Sequence, residues 1–153
     1  MMITKEKVNA ITTLLNGTIL SLKLVIPIHH HPNKPEKING EFQISYGVLI
    51  GIVGDVNGKL VVSGSADLFA EIGQAMFGMP LEGEMLTSFS GELGNMIAGC
   101  LSTNIANNGI DINITSPTVM SGKTTISGYQ QALKISTSFE NMVDLDIYLL
   151  LDS

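Results

Sequence analysis

Cysteine and charge are what this sequence has least of. One cysteine, Cys100, occurs in 153 residues, and 14% of positions are charged, against roughly 25% in an average domain. A lone cysteine cannot close an internal disulfide and is too little for a zinc cage, so a reducing compartment is expected. Basic residues are outnumbered, 8 Lys+Arg against 14 Asp+Glu for a net charge of −6, and they form no cluster. Nucleic acid wants a Lys/Arg footprint and so does an anionic membrane surface, so neither is an expected partner. No apolar run approaches the roughly 20 residues of a transmembrane helix, and Met1–Val8 lacks the features of a secretory signal. A cytoplasmic protein away from membranes is the expectation. Scarce surface charge in such a protein points to surface hidden in an oligomer or kept flat for a partner.

Catalytic clusters are missing too. No Ser-His-Asp or Cys-His arrangement and no metal-ligand cluster is legible. His29, His30 and His31 adjoin one another, but neighbours in a strand point to alternate faces and no Cys or carboxylate lies nearby in sequence. They are expected in a surface loop or at a strand end, with no role assigned. Ser121-Gly122-Lys123-Thr124 lacks the upstream glycine spacing of a phosphate-binding loop. Cys100 is expected to be inert packing.

What is present reads as one domain, 1–153, of mixed α/β (α+β) class. Residues 4–22 form a first helix, with Val8, Ile11, Leu15 and Ile19 at helical spacing. Pro27, Pro32 and Pro35 break the chain into a loop. Two apolar runs, Phe42–Val53 and Leu60–Val62, flank Asn57-Gly58, a strong hairpin signal because both residues tolerate positive φ. A second helix spans Ala66–Phe77, stopped by Gly78 and Pro80. A third runs from about Glu84 to Asn107. Strands follow at about 111–120, 131–139 and 143–150, the last alternating Val143, Leu145, Ile147 and Leu149 against Asp144, Asp146 and Tyr148.

The third helix is the unusual element. Leu86, Phe89, Leu93, Met96, Ile97 and Cys100 form an apolar stripe at 100° per residue. The opposite side holds Ser88, Gly91, Asn95, Ala98, Gly99 and Ser102, with Glu92 on its shoulder. Gly91, Gly94 and Gly99 each cost about 1 kcal/mol relative to Ala in a helix, so close approach by another backbone must compensate. That approach is either tight packing within the chain or a docking face of Gly91, Ala98, Gly99 and Ser102 presenting Glu92 and Asn95, which lie side by side. Glu-x-x-Asn also occurs at Glu6/Asn9 and Glu36/Asn39, so the spacing alone is weak.

Its context is more specific. The run Ser88-Phe89-Ser90-Gly91-Glu92-Leu93-Gly94-Asn95-Met96-Ile97-Ala98-Gly99, followed by Ser116-Pro117-Thr118-Val119-Met120-Ser121-Gly122, resembles the CheX branch of the CheC/CheX/FliY phosphatases. Ser88, Glu92, Asn95 and Pro117 fill the family pattern, and the resemblance covers nearly the whole chain. It implies a CheC-like domain, a mostly antiparallel sheet packed with about three helices and pseudo-duplicated. It implies a phosphatase for the aspartyl phosphate of a CheY-like response regulator in chemotaxis or another two-component pathway. Asn95 would orient the attacking water, and Glu92 would pair with the regulator's lysine. Ser88 and Pro117 would be supporting residues. The protein would need no cofactor of its own, with Mg²⁺ carried by the partner receiver domain, and a homodimer formed through the sheet is implied. The duplication pairs Glu6/Asn9 with Glu92/Asn95, a possible degenerate second site whose first position would be Met2. The alternative is a non-catalytic receiver-binding or dimerisation module of the same fold.

Overall fold

The computed structural model describes residues 5–152. Three helices, α1 (Lys5–Val25), α2 (Ala66–Phe77) and α3 (Gly83–Ala106), accompany an 8-stranded antiparallel sheet. Its strands are β1 (His30–Pro32), β2 (Glu36–Ile38), β3 (Phe42–Gly54), β4 (Gly58–Ser63), β5 (Ile112–Ile114), β6 (Thr118–Ile126), β7 (Gln131–Phe139) and β8 (Leu145–Leu151). Helix α2 begins where Ser65 Oγ accepts from the Leu68 N–H, and ends where Gly78 turns left-handed at φ 72°.

The expected hairpin forms, but for a different reason. Asn57 and Gly58 do not take positive φ; Gly54 does, at 131°. A Cβ there would lie 2.7 Å from the Asp111 carbonyl oxygen. The Asn57 carboxamide instead closes the turn onto both backbone groups of Gly54. The expected strand over 111–120 is likewise two strands, β5 and β6, parted at Thr115–Pro117.

The sheet order is β1-β7-β8-β4-β3-β5, with β2 also on β7 and β6 also on β3. Strands β4 and β8 pair at the centre, each followed outward by its own hairpin partner, β3 or β7. The small strands then cross over: β1 and β2 of the first half border β7 of the second, while β5 and β6 of the second border β3 of the first. The shift that carries Glu6 onto Glu92 also carries β3 onto β7 and β4 onto β8. The duplication therefore extends through the sheet.

Both faces of the sheet are apolar. The helices cover one, where Val48, Ile50, Ile52, Leu60, Val62, Ile135, Ile147 and Leu149 are buried with Leu93, Ile97, Leu101 and Ile105 of α3. The other carries a smaller cluster of Ile44, Val61, Ile126, Ala132, Tyr148 and Leu150. Phe42 stacks on Tyr148 there, ring centroids 4.0 Å apart. Burial pushes the Tyr148 phenol up to about 12, helped by the negative charge of Asp146. The alternation expected of the last strand holds from Leu145 onward, with Val143 outside it and exposed.

Two expectations about α1 are corrected. Its buried face is Leu14, Gly17, Thr18, Ser21 and Leu22, with Ile11, Leu15 and Ile19 at the margin and Val8 exposed. In addition, Glu6–Val25 is long and apolar enough, by length and composition, to cross a membrane. One face of it packs within the fold: α1 lies along α3, and Gly17 lets the two approach so closely that a Cβ would sit 2.9 Å from Ile105 Cγ2, while Val8, Leu20 and Leu24 are exposed. The buried hydroxyls of Thr18 and Ser21 donate to carbonyls one turn back, both at 2.7 Å.

Candidate functional site on helix α3

Helix α3 sits deep in the fold because its small residues let it. Gly94 faces β3, where a Cβ would come within 2.8 Å of Val48 Cγ1. Ser90 is fully buried; its hydroxyl donates to the Leu86 carbonyl at 2.7 Å and meets Tyr46 Oη at 2.7 Å. Gly91 faces the β5–β6 junction, and a Cβ there would make ordinary contact with Val119 at 3.5 Å and Pro117 Cγ at 3.7 Å. Ser102 Oγ donates to the Ile112 carbonyl at 3.3 Å on the same side. These contacts fix the rotation of the helix.

That rotation corrects the expected faces. Gly91 and Ala98 are buried, so they are packing residues, and only Gly99 and Ser102 of the four proposed docking positions reach the surface. The core stripe turns correspondingly: Leu101 and Ile105 are buried, while Met96 and Cys100 are half-exposed. Tight internal packing accounts for Gly94, whereas a Cβ on Gly91 would be accommodated at ordinary contact distance. A Cβ on Gly99 would meet open space.

What remains outward is a strip of exposed Ser88 and Glu92 with half-buried Asn95 and Gly99. Pro117, from a distant part of the sequence, lies over Gly91, where a Cβ would come within 3.7 Å of its Cγ. The structure thus brings Ser88, Glu92, Asn95 and Pro117 to one place. Among the described residues, neither the Glu92 carboxylate nor the Asn95 carboxamide has a hydrogen-bonding or ionic partner. A carboxamide supplies both donors and an acceptor without net charge, and the carboxylate beside it is an acceptor for a cation. Three apolar side chains adjoining this strip, Phe77, Met79 and Met85, were not singled out from sequence. Their signal was the short Gly78-Met79-Pro80 link between two helices.

The other candidates lie apart. Glu6 and Asn9 are exposed in the first turn and a half of α1, and Met2 lies outside the described residues. His30 is half-buried, its Nδ1 2.7 Å from Thr137 Oγ1 and its Nε2 3.2 Å from the Leu22 carbonyl oxygen. Burial holds its pKa below the usual histidine value. His29 and His31 point outward with their Nε2 atoms 3.1 Å apart. No group of three or more His, Cys, Asp or Glu placed to hold a metal occurs among the described residues.

This helix-on-sheet arrangement with two interlocked halves is that of the CheC-like proteins. A CheC-like superfamily protein from Shewanella sp. PV-4 matches with a TM-score of 0.77, at 26% identity over 94% of this chain and 97% of that one. The structure of a CheX–CheY–BeF₃–Mg²⁺ complex from Borrelia burgdorferi matches in fold with the same TM-score, at 19% identity over 94% and 97%. At the level of sequence, the family model for chemotaxis phosphatase CheX matches residues 46–140. The CheY-P phosphatase CheX of Thermotoga maritima is 31% identical over 145 residues, 91% of this chain and 93% of that protein. The chain belongs to the CheX family.

Proposed function

We propose that this protein hydrolyses the aspartyl phosphate of a CheY-like response regulator, with Asn95 orienting the attacking water and Glu92 pairing with the regulator's lysine. The observation that carries the reading is the outward, unpartnered Glu92–Asn95 pair on a helix locked in place by Gly94, Ser90 and Pro117. Membership of the CheX family supports it.

The chemistry asks little of this chain. An acyl phosphate on a receiver already has Mg²⁺ and a lysine beside it, and the Borrelia complex holds Mg²⁺ and BeF₃ together with CheY. What is lacking is a water in line with phosphorus. The Asn95 carboxamide accepts from and donates to that water. The water oxygen bonds to phosphorus as the P–O bond to the aspartate breaks, and the carboxylate leaves with the bonding pair. The water's protons pass to the released phosphate and solvent. A neutral amide does this without repelling the phosphoryl oxygens, as a carboxylate would. Ser88 and Pro117 support the strip, Pro117 by its contact with Gly91. Residues 1–153 act as one domain, in the cytoplasm, as a homodimer joined through the sheet.

The test is the lifetime of a phosphorylated receiver in excess Mg²⁺ with wild-type protein and with Asn95→Ala. Shortening by the wild type alone is expected. Equal shortening by both would sink the catalytic role of Asn95; receiver binding with no shortening by either would favour a module that engages the receiver without hydrolysis.

A further inference from the structure

Of the large apolar side chains exposed among the described residues, three gather at one place: Phe77, Met79 and Met85. With Leu81 and Phe89 they line a groove of about 610 Å³ between the end of α2 and the first turns of α3. Its remaining wall is Glu84, Ser88 and Glu92, so the groove opens directly onto the strip that carries Asn95. Phe77 is 60% exposed yet held, edge-on to Phe89 with ring centroids 5.7 Å apart and planes at 89°. An apolar patch of this kind beside polar residues marks a protein contact, and methionine side chains adapt to a partner's relief.

Two features select the occupant. The groove and the Glu92–Asn95 strip are one continuous surface, so any protein that brings a phosphoryl group to Asn95 must also lie over the groove's mouth. Both charged groups lining it, Glu84 and Glu92, are carboxylates, which calls for a cation on the facing surface. We propose that this groove is the docking site for the receiver domain. An apolar side chain of the receiver, next to a basic residue near its phosphorylation site, seats between Phe77 and Met85 with Glu84 facing the basic group. This rests on the receiver-phosphatase reading and divides the labour within it: affinity from the groove, hydrolysis from Asn95.

The experiment is titration of a CheY-like receiver loaded with beryllofluoride and Mg²⁺, reading Kd by fluorescence. Met85→Lys, exposed and adverse to both the apolar contact and the facing cation, should weaken binding at least tenfold. Phe77→Ala should do likewise, and Glu84→Gln should weaken it a few-fold. Val143→Lys, an equally exposed apolar position away from the groove, should change Kd less than twofold, and the circular dichroism melts should match wild type. If Met85→Lys and Phe77→Ala both bind within twofold of wild type, the groove assignment is overturned while hydrolysis that depends on Asn95 still stands. If the wild-type chain does not bind the loaded receiver, both fall. Binding lost in the groove variants while wild-type protein fails to shorten the phosphate lifetime would uphold the groove and overturn the catalytic reading alone.

Discussion

Helices α1 and α3 carry the same Glu-x-x-Asn spacing, occupy matching places in two interlocked halves and pack against each other, yet they are differently equipped. Glu92 and Asn95 stand in the middle of α3, beyond two full turns of helix, on a segment bedded into β3 by Gly94 and abutted by Pro117. Glu6 and Asn9 stand at the start of α1, and the position that matches Gly94 is Val8, which faces solvent. The one glycine that α1 uses for close approach, Gly17, serves its contact with α3. The lesson is that the Glu-x-x-Asn pair is common to both helices and the seat beneath it is not. The proposed mechanism depends on that seat, because orienting a water to within a fraction of an ångström needs a helix that cannot rock.

The comparison can be broken most directly at the asparagines. Asn95→Ala should cut the acceleration of receiver dephosphorylation by on the order of 100-fold, the usual range for losing one positioned group that handles a proton-bearing nucleophile. Asn9→Ala should change it less than twofold. Comparable losses at both positions would make α1 a working second site.

The seat is tested next. Gly94→Ala drives a methyl to within 2.8 Å of Val48 Cγ1, and overpacking of this kind costs about 1–3 kcal/mol. Gly99→Ala meets nothing within 4 Å and should stabilise by up to about 1 kcal/mol through helix propensity. Urea midpoints moving in opposite directions would confirm that one glycine is structural and the other is not. Activity of Gly94→Ala should fall more than its stability at the assay temperature explains, because the helix lifts from β3.

A smaller effect is expected at the carboxylate. Glu92→Ala should raise the KM for phosphorylated receiver on the order of tenfold, the worth of one hydrogen bond to a charged group, with kcat retained. Glu6→Ala should leave KM unchanged. A kcat-only loss at Glu92 would move that residue from binding into the chemistry.

The mildest contrast lies at the far end of α1, where His30 ties the Leu22 carbonyl to Thr137. Its pKa is lowered by burial, the Leu22 contact opposing and the neighbouring His29, His31 and Lys23 charges assisting. The unfolded chain therefore binds a proton here before the folded one does. Stability contributed by the neutral ring is present above the ordinary histidine pKa of 6.5 and is lost as pH falls below it. Thermal melts from pH 7.5 to 5 should show this slope in wild type and a shallower one in His30→Asn.

Much of this was readable in the sequence. Helix α2 came out to the residue because Gly78 and Pro80 stop it chemically; the Ser65 cap that starts it is a signal the sequence also carries but that was not singled out. The strip of Ser88, Glu92 and Asn95 was visible because it departs from what a solvated helix face should contain. Other features were misread, the first two because a tertiary contact decided them. The rotation of α3 is set by which glycine meets Val48 and which meets Pro117, and helical periodicity cannot tell two small-residue faces apart. The 57–58 turn signal was right about place and wrong about mechanism, since Gly54 takes the unusual backbone conformation where β3 approaches Asp111. The long apolar face of α1 escaped notice as a span-length run because polar Thr18 and Ser21, which satisfy themselves within the helix, interrupt it.

The crossing of β1 and β2 onto β7, and of β5 and β6 onto β3, has a consequence for how this molecule can change. Cut the chain in the link between α2 and α3, and neither fragment owns a complete sheet. Strand β7 loses one border, β3 loses another, and β4 and β8 both become raw edges open to aggregation. Each fragment is then a complementation partner for the other and not a smaller version of the whole. A doubled ancestor built this way cannot shed either half, so α1 is retained as scaffolding for α3 whether or not its Glu6/Asn9 pair is used.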